Sequence, residues 1–197
     1  MTTPATLDRL LLVPRGSGHE DSDYYPWLRA ELAERGVLPQ RDVAPLQPPS
    51  APDLQATVAA VRERLHPEHR PERTLVLGHS VGAQAAMRAI AQLPTGTTVG
   101  ALLLVAGWWS VDEPWPSLVP WMETPFDWDR VRTAARRRML LVSTNDPFTA
   151  NATTTAQQFE QRIDAEVRVV PDAKHFNAAQ EPAVLQAVLA LLELDPR

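Results

Sequence analysis

Short apolar runs recur along the chain, separated by stretches of mixed polarity. They are LLLV (10–13), TLVL (74–77), ALLLV (101–105), MLLV (139–142) and VRVV (167–170). Continuous rather than alternating hydrophobicity is typical of strands that are buried on both faces of a parallel sheet. We therefore predict a strand at each run, and a weaker strand near QRDVA (40–44).

The stretches between these runs carry apolar residues at helical spacing. The series are Leu54, Val58, Val61 and Leu65; Ala83, Ala86, Met87 and Ile90; and Ala152, Ala156, Phe159 and Ile163. Asp53 is a candidate N-cap for the first series. A further helix is predicted over 24–35, with Asp23 as its N-cap and Gly36 just past its end, and Pro182 opens the last helix.

Strands that alternate with helices predict right-handed βαβ units in an open, mostly parallel sheet of about six strands, with helices on both faces. Ligand sites in such α/β folds lie at the carboxyl ends of the strands. A length of 197 residues suits one α/β domain with a full core, so we expect a single domain over 1–197.

Composition narrows the classes of function. A charge of −5 gives no reason to expect a nucleic acid or an anionic membrane as partner. No apolar stretch approaches the roughly 18 residues of a membrane span, so we expect a cytoplasmic protein. The chain has no cysteine, so a covalent nucleophile must be an oxygen or a nitrogen. No cluster of histidines and carboxylates suggests a metal, and no cofactor is expected.

The segment LVLGHSVGA (75–83) places the motif G-x-S-x-G between a buried strand and an amphipathic helix. A serine in that context sits on a tight, strained turn, and small flanking residues are needed at Gly78 and Gly82. The hydroxyl of Ser80 is then expected to project above the sheet. The backbone N–H of Val81, in the first turn of the helix, is a candidate donor to the oxyanion that forms when a carbonyl is attacked.

A serine nucleophile needs a base and a carboxylate that orients the base. After an elbow of this kind, the acid and the histidine are expected in that order, each following a strand. Asp146 follows MLLV and His175 follows VRVV, so both loops open at the sheet edge that carries Ser80. Asp172 and Asp112 remain alternative acids.

Four segments resemble a known family. GHSVGA (78–83), TPFDWDRV (124–131), VSTNDPF (142–148) and KHFN (174–177) resemble, in order and approximate spacing, the small α/β-hydrolase-fold serine hydrolases that include retinoblastoma-binding protein 9 and its bacterial relatives. The resemblance implies Ser80 as nucleophile, Asp146 as acid and His175 as base. It also implies a minimal fold without a large cap domain, and hydrolysis of carboxylic esters or small amides.

The chain departs from this family after the first strand. Relatives place a glycine directly after the residue that ends the strand, whereas here the order is Pro14, Arg15, Gly16. The loop should supply the second oxyanion N–H, and both Arg15 and Gly16 are candidates. We expect the side chain of Arg15 to face solvent or the mouth of the pocket.

Five of the six tryptophans fall between positions 108 and 128. This segment precedes the strand before Asp146, so it is expected to arch over or beside Ser80 and form an aromatic wall around an acyl or aryl group. The alternative is that each ring only buries the loop against the sheet. The candidate pocket residues are His19, Trp108, Trp109, Trp115 and Trp121.

These observations favour a serine hydrolase that acts on a small-molecule ester or amide through Ser80, His175 and Asp146. Two alternatives stay open: a catalytically idle binding or scaffold protein, and an acyltransferase that uses the same nucleophile. A protein partner is not indicated by the sequence.

Overall fold

The computed structural model describes residues 6–149 and 151–193. Within these ranges the strands are β1 (Arg9–Val13), β2 (Gln40–Val43), β3 (Thr74–His79), β4 (Ala101–Val105), β5 (Arg138–Ser143) and β6 (Glu166–Val170). The helices are α1 (Tyr25–Glu34), α2 (Leu54–Arg64), α3 (Val81–Ala91), α4 (Val119–Glu123), α5 (Trp128–Ala134), α6 (Ala152–Ile163) and α7 (Pro182–Glu193). Short 3₁₀ turns occupy Pro67–His69, Pro71–Arg73 and Pro116–Leu118.

The six strands form one parallel sheet in the order β2-β1-β3-β4-β5-β6. The four inner strands carry the apolar runs LLLV, TLVL, ALLLV and MLLV, and these runs are buried. The sequence prediction for these strands is therefore confirmed. VRVV behaves differently, because β6 is an edge strand and Val169 is 50% exposed.

Two apolar layers cover the two faces of the sheet. Alternate residues of each inner strand point to opposite layers, so that Leu11 and Val13 pack with α2, α3, α5 and α6, whereas Leu10 and Leu12 pack with α1 and α7. Side chains alternate between the faces of a strand, so a strand that is apolar throughout supplies both layers. Packing on both faces holds the strands in place and so positions the loops at their carboxyl ends.

The helix ends confirm some of the sequence predictions and not others. The Asp53 side chain accepts a hydrogen bond from the Ala56 N–H at 2.8 Å, as expected of an N-cap, and α7 begins at Pro182. Asp23 does not cap α1: Tyr24 is the N-cap residue and makes no side-chain cap bond. The carboxylate of Asp23 binds Arg15 instead.

No helix of the described residues is long and apolar enough to cross a membrane.

Candidate active site

Ser80 occupies the turn between β3 and α3, with φ 57° and ψ −120°. A non-glycine residue with positive φ is strained and is held in place by its surroundings. A Cβ on Gly82 would collide with the carbonyl oxygens of Val13 and Pro14, and a Cβ on Gly78 would lie 2.7 Å from the backbone of α3. The two glycines therefore let the turn close against β1 and α3.

Asp146 and His175 meet at the carboxyl edge of the sheet. The Nδ1 of His175 lies 2.9 Å from Oδ2 of Asp146, and the other carboxylate oxygen accepts the N–H of Phe148 at 2.9 Å. Both side chains are buried, whereas the alternative acids Asp172 and Asp112 are exposed. A carboxylate accepts hydrogen bonds, so Nδ1 carries the proton and Nε2 is left to act as a base.

Ser80 and His175 line the same cavity, which has a volume of about 630 Å³. Most of its wall is apolar, and its polar lining includes Ser17, Ser50, Ser117 and Asn177. The apolar lining residues are Pro52, Val81, Trp108, Val111, Trp115, Pro116, Leu118 and Phe148. A largely apolar cavity with a few convergent polar groups is typical of a small-molecule site.

The loop after β1 lies beside the start of α3, where a Cβ on Gly16 would be 3.7 Å from Cγ1 of Val81. The backbone N–H of Arg15 is already used, since it donates to the hydroxyl of Tyr25 at 3.1 Å. Among the described residues the N–H of Gly16 has no hydrogen-bond partner. The first N–H groups of a helix have no intrahelical acceptor, which leaves that of Val81 available as well. Of the two loop candidates, the geometry favours Gly16.

The side chain of Arg15 lines the cavity, and each of its three guanidinium nitrogens donates a hydrogen bond to a neighbouring protein group. Nε and Nη2 donate to the two carboxylate oxygens of Asp23 at 2.7 and 3.0 Å, and Nη1 donates to the carbonyl of Gly16 at 2.8 Å. The hydrogen bonds that Arg15 donates to Asp23 raise the pKa of the guanidinium. The guanidinium therefore stabilises the loop after β1, and the carboxylate of Asp23 compensates its charge.

Three of the pocket residues expected from the sequence do not line this cavity. His19 is exposed on the loop before α1. Trp109 packs on Phe126 and Phe159, with ring centroids 5.7 and 4.9 Å away. Trp121 is buried in the core and donates its indole N–H to the carbonyl of Pro52. Trp108 and Trp115 do line the cavity.

Two contributions to the site were missed by the sequence reasoning. Phe148 lines the cavity and its ring meets that of His175 edge to face, with centroids 4.6 Å apart. Its position two residues after Asp146 was the available signal. The second residue is Tyr25 of α1, whose hydroxyl accepts the N–H of Arg15 beside the cavity. No local sequence pattern around Tyr25 indicates a role near Ser80.

Within the part of the chain that the structure describes, no group of three or more His, Asp or Glu side chains is placed to hold a metal ion.

The parallel sheet, the strained serine turn and the absence of a large inserted domain among the described residues define an α/β-hydrolase fold. The sequence model of the family described as "Serine hydrolase" matches residues 10–193. The chain belongs to the serine hydrolase family.

The chain is similar to two other proteins in sequence and to a solved structure in fold. It is 26% identical to YdeN of Bacillus subtilis (strain 168) over 156 residues, which cover 78% of this chain and 77% of YdeN. It is 27% identical to the serine hydrolase RBBP9 of Rattus norvegicus over 125 residues, 63% of this chain and 64% of RBBP9. The crystal structure of the B. subtilis ydeN gene product superposes with a TM-score of 0.79 at 22% identity, covering 94% of this chain and 99% of that chain.

Proposed function

We propose that this chain hydrolyses uncharged carboxylic esters or small amides through Ser80, His175 and Asp146 by way of an acyl-enzyme. The observation that carries the proposal is the hydrogen bond between His175 and Asp146, because it orients a histidine that lines the same cavity as Ser80. Membership of the serine hydrolase family supports a hydrolytic reaction.

The reaction begins when the hydroxyl oxygen of Ser80 attacks the substrate carbonyl and His175 takes the hydroxyl proton. Asp146 accepts the Nδ1–H of His175, which orients the ring and stabilises its cationic form. The N–H groups of Val81 and Gly16 hold the oxyanion. His175 then protonates the leaving group, and in the second half it activates a water molecule that releases the acid and frees Ser80.

The lining of the cavity supports an uncharged substrate with an apolar acyl or aryl part. Among the described residues, Arg15 is the one arginine that lines this cavity, and its charge is compensated by Asp23. No Asp, Glu or Lys belongs to the lining of this cavity within the described residues.

A fluorophosphonate probe tests the nucleophile directly, because it labels a serine only when that serine is activated. We expect wild type to be labelled at Ser80, as identified by peptide mass spectrometry, and Ser80→Ala to be unlabelled. Ser117→Ala is the matched control, because Ser117 lines the same cavity and lies outside the triad. Equal labelling of wild type and Ser80→Ala would show that another residue is the nucleophile.

A further inference from the structure

A chain of three hydrogen bonds, two of them buried and one part-buried, connects the two loops that flank Ser80. The Tyr25 hydroxyl accepts the N–H of Arg15 at 3.1 Å and lies 2.8 Å from Nδ1 of His79. Nε2 of His79 lies 2.8 Å from the backbone carbonyl oxygen of His175. We call Tyr25 and His79, with these three bonds, the Tyr25–His79 bridge. It joins the oxyanion loop after β1 to the loop that carries the catalytic histidine.

The partners fix the direction of every bond in the bridge. A carbonyl oxygen only accepts, so Nε2 of His79 carries a proton. Complete burial lowers the pKa of His79 well below its ordinary value, and neighbouring His175 lowers it further, so the ring is neutral and Nδ1 has no proton. The Tyr25 hydroxyl therefore donates to Nδ1, and its oxygen is free to accept the N–H of Arg15.

The loop around His175 depends on such anchors because its backbone is strained. Lys174 and Phe176, on either side of His175, have φ values of 50° and 54°. Non-glycine residues rarely adopt this left-handed conformation, and they keep it only where the surrounding structure holds them. The His79 bond holds the carbonyl of His175 between these two residues, while the His175 side chain binds Asp146.

We propose that Tyr25 and His79 are positioning residues that set the oxyanion loop and the His175 loop relative to each other. Neither residue lines the cavity, so each acts through a neighbour and not on the substrate. The inference rests on the proposed function, since it concerns the geometry of the same site. Small displacements of groups that support a reacting centre are enough to lower a rate.

Adjacent tyrosines offer a matched pair of variants. Tyr25→Phe removes the hydroxyl that pairs with both Arg15 and His79. Tyr24→Phe removes an equally buried hydroxyl, which has no hydrogen-bond partner within the part of the chain that the structure describes. The Tyr24 ring is centred 4.8 Å from that of Tyr25. With an uncharged ester, we expect Tyr25→Phe to lower kcat by about 10- to 100-fold with little change in KM. Tyr24→Phe should keep the wild-type kcat.

A second readout does not depend on turnover. The proton resonance of His175 Nδ1–H, in its bond to Asp146, should shift in Tyr25→Phe and stay in place in Tyr24→Phe. In wild type, the ¹⁵N spectrum of His79 should show a protonated Nε2 and an unprotonated Nδ1, a measurement that needs no variant to fold.

The outcomes separate this inference from the proposed function. If wild type is neither labelled nor active, the proposed function fails, and the His175 resonance still decides whether the bridge positions that residue. If wild type is active but the two phenylalanine variants have the same kcat and the same His175 resonance, the bridge has no positioning role. A proton on Nδ1 of His79 would also overturn the assignment of its bonds.

Discussion

At the scale of single residues, Asp23 shows how a tertiary contact outcompetes a local one. Its sequence position, just before a helix, favours N-capping, and aspartate is a preferred capping residue. In the structure its carboxylate instead binds Arg15 through two hydrogen bonds. The pair with Arg15 supplies two charge-assisted hydrogen bonds and an opposite charge, whereas an N-cap contact supplies one hydrogen bond to a backbone N–H, so the contact with Arg15 is favoured. Arg15 lies eight residues before Asp23 in the sequence, so a pattern of capping residues cannot indicate this contact.

The carboxylate that orients His175 is predicted to be that of Asp146. Asp146→Asn should lower kcat by about 10⁴-fold, because an amide in place of the carboxylate favours the wrong histidine tautomer. Steady-state ester hydrolysis measures the effect. Asp172→Asn is the control: Asp172 lies in the same loop as His175 and is exposed, so its variant should keep the wild-type rate. Loss of activity in Asp172→Asn with a fully active Asp146→Asn would reverse the assignment.

At the scale of elements, the apolar runs predict the inner strands well because burial on both faces leaves no position for a polar side chain. The tryptophan-rich segment was less predictable. Its rings do not follow one period, since a 3₁₀ turn at Pro116–Leu118 and α4 redirect the chain. Trp115 stays exposed at the cavity, while Trp121, the third residue of α4, is buried and donates its indole N–H to the carbonyl of Pro52.

Trp115 supports a prediction about specificity. The residue is 57% exposed and lines the cavity, and its ring centroid lies 5.5 Å from that of Phe148. Trp115→Ala should raise KM for aryl and longer acyl esters and leave acetyl esters nearly unchanged, because only larger groups reach the ring. Trp128→Ala removes another exposed tryptophan of the same segment that does not line the cavity, and it should leave both KM values unchanged. Equal effects of the two variants would exclude a role for Trp115 in substrate binding.

At the scale of the whole molecule, the site is assembled from loops that follow β1, β3, β5 and β6. Parallel strands present their carboxyl ends at one edge, so the meeting of Ser80, Asp146 and His175 could be anticipated from the position of each residue just after a predicted strand. The contacts that connect those loops to one another could not be anticipated in this way. The Tyr25–His79 bridge depends on α1 packing on the sheet so that the Tyr25 hydroxyl meets His79 at the end of β3, and no local pattern in the sequence indicates that contact.

Burial of His79 beneath the site makes the stability of the fold depend on pH. Its pKa in the folded protein lies well below the value near 6.5 of the unfolded chain, chiefly because burial disfavours the charged ring. Below pH 6.5 the unfolded chain therefore binds a proton that the folded protein does not. The contribution of His79 to stability is complete above that pH and is lost as the pH falls toward the folded pKa, at a rate of at most about 1.4 kcal/mol per pH unit.

Urea unfolding of wild type and His79→Gln between pH 7.5 and pH 5.5 measures this contribution. The variant loses hydrogen bonds and is expected to be less stable at neutral pH, but the difference between the two proteins should shrink as the pH falls. Other titrating groups, including Glu181, whose pKa is raised by burial, are present in both proteins and largely cancel in that difference. A difference that stays constant over this range would mean that His79 takes up its proton equally in the folded and unfolded states, contrary to its placement among Tyr24, Tyr25 and His175.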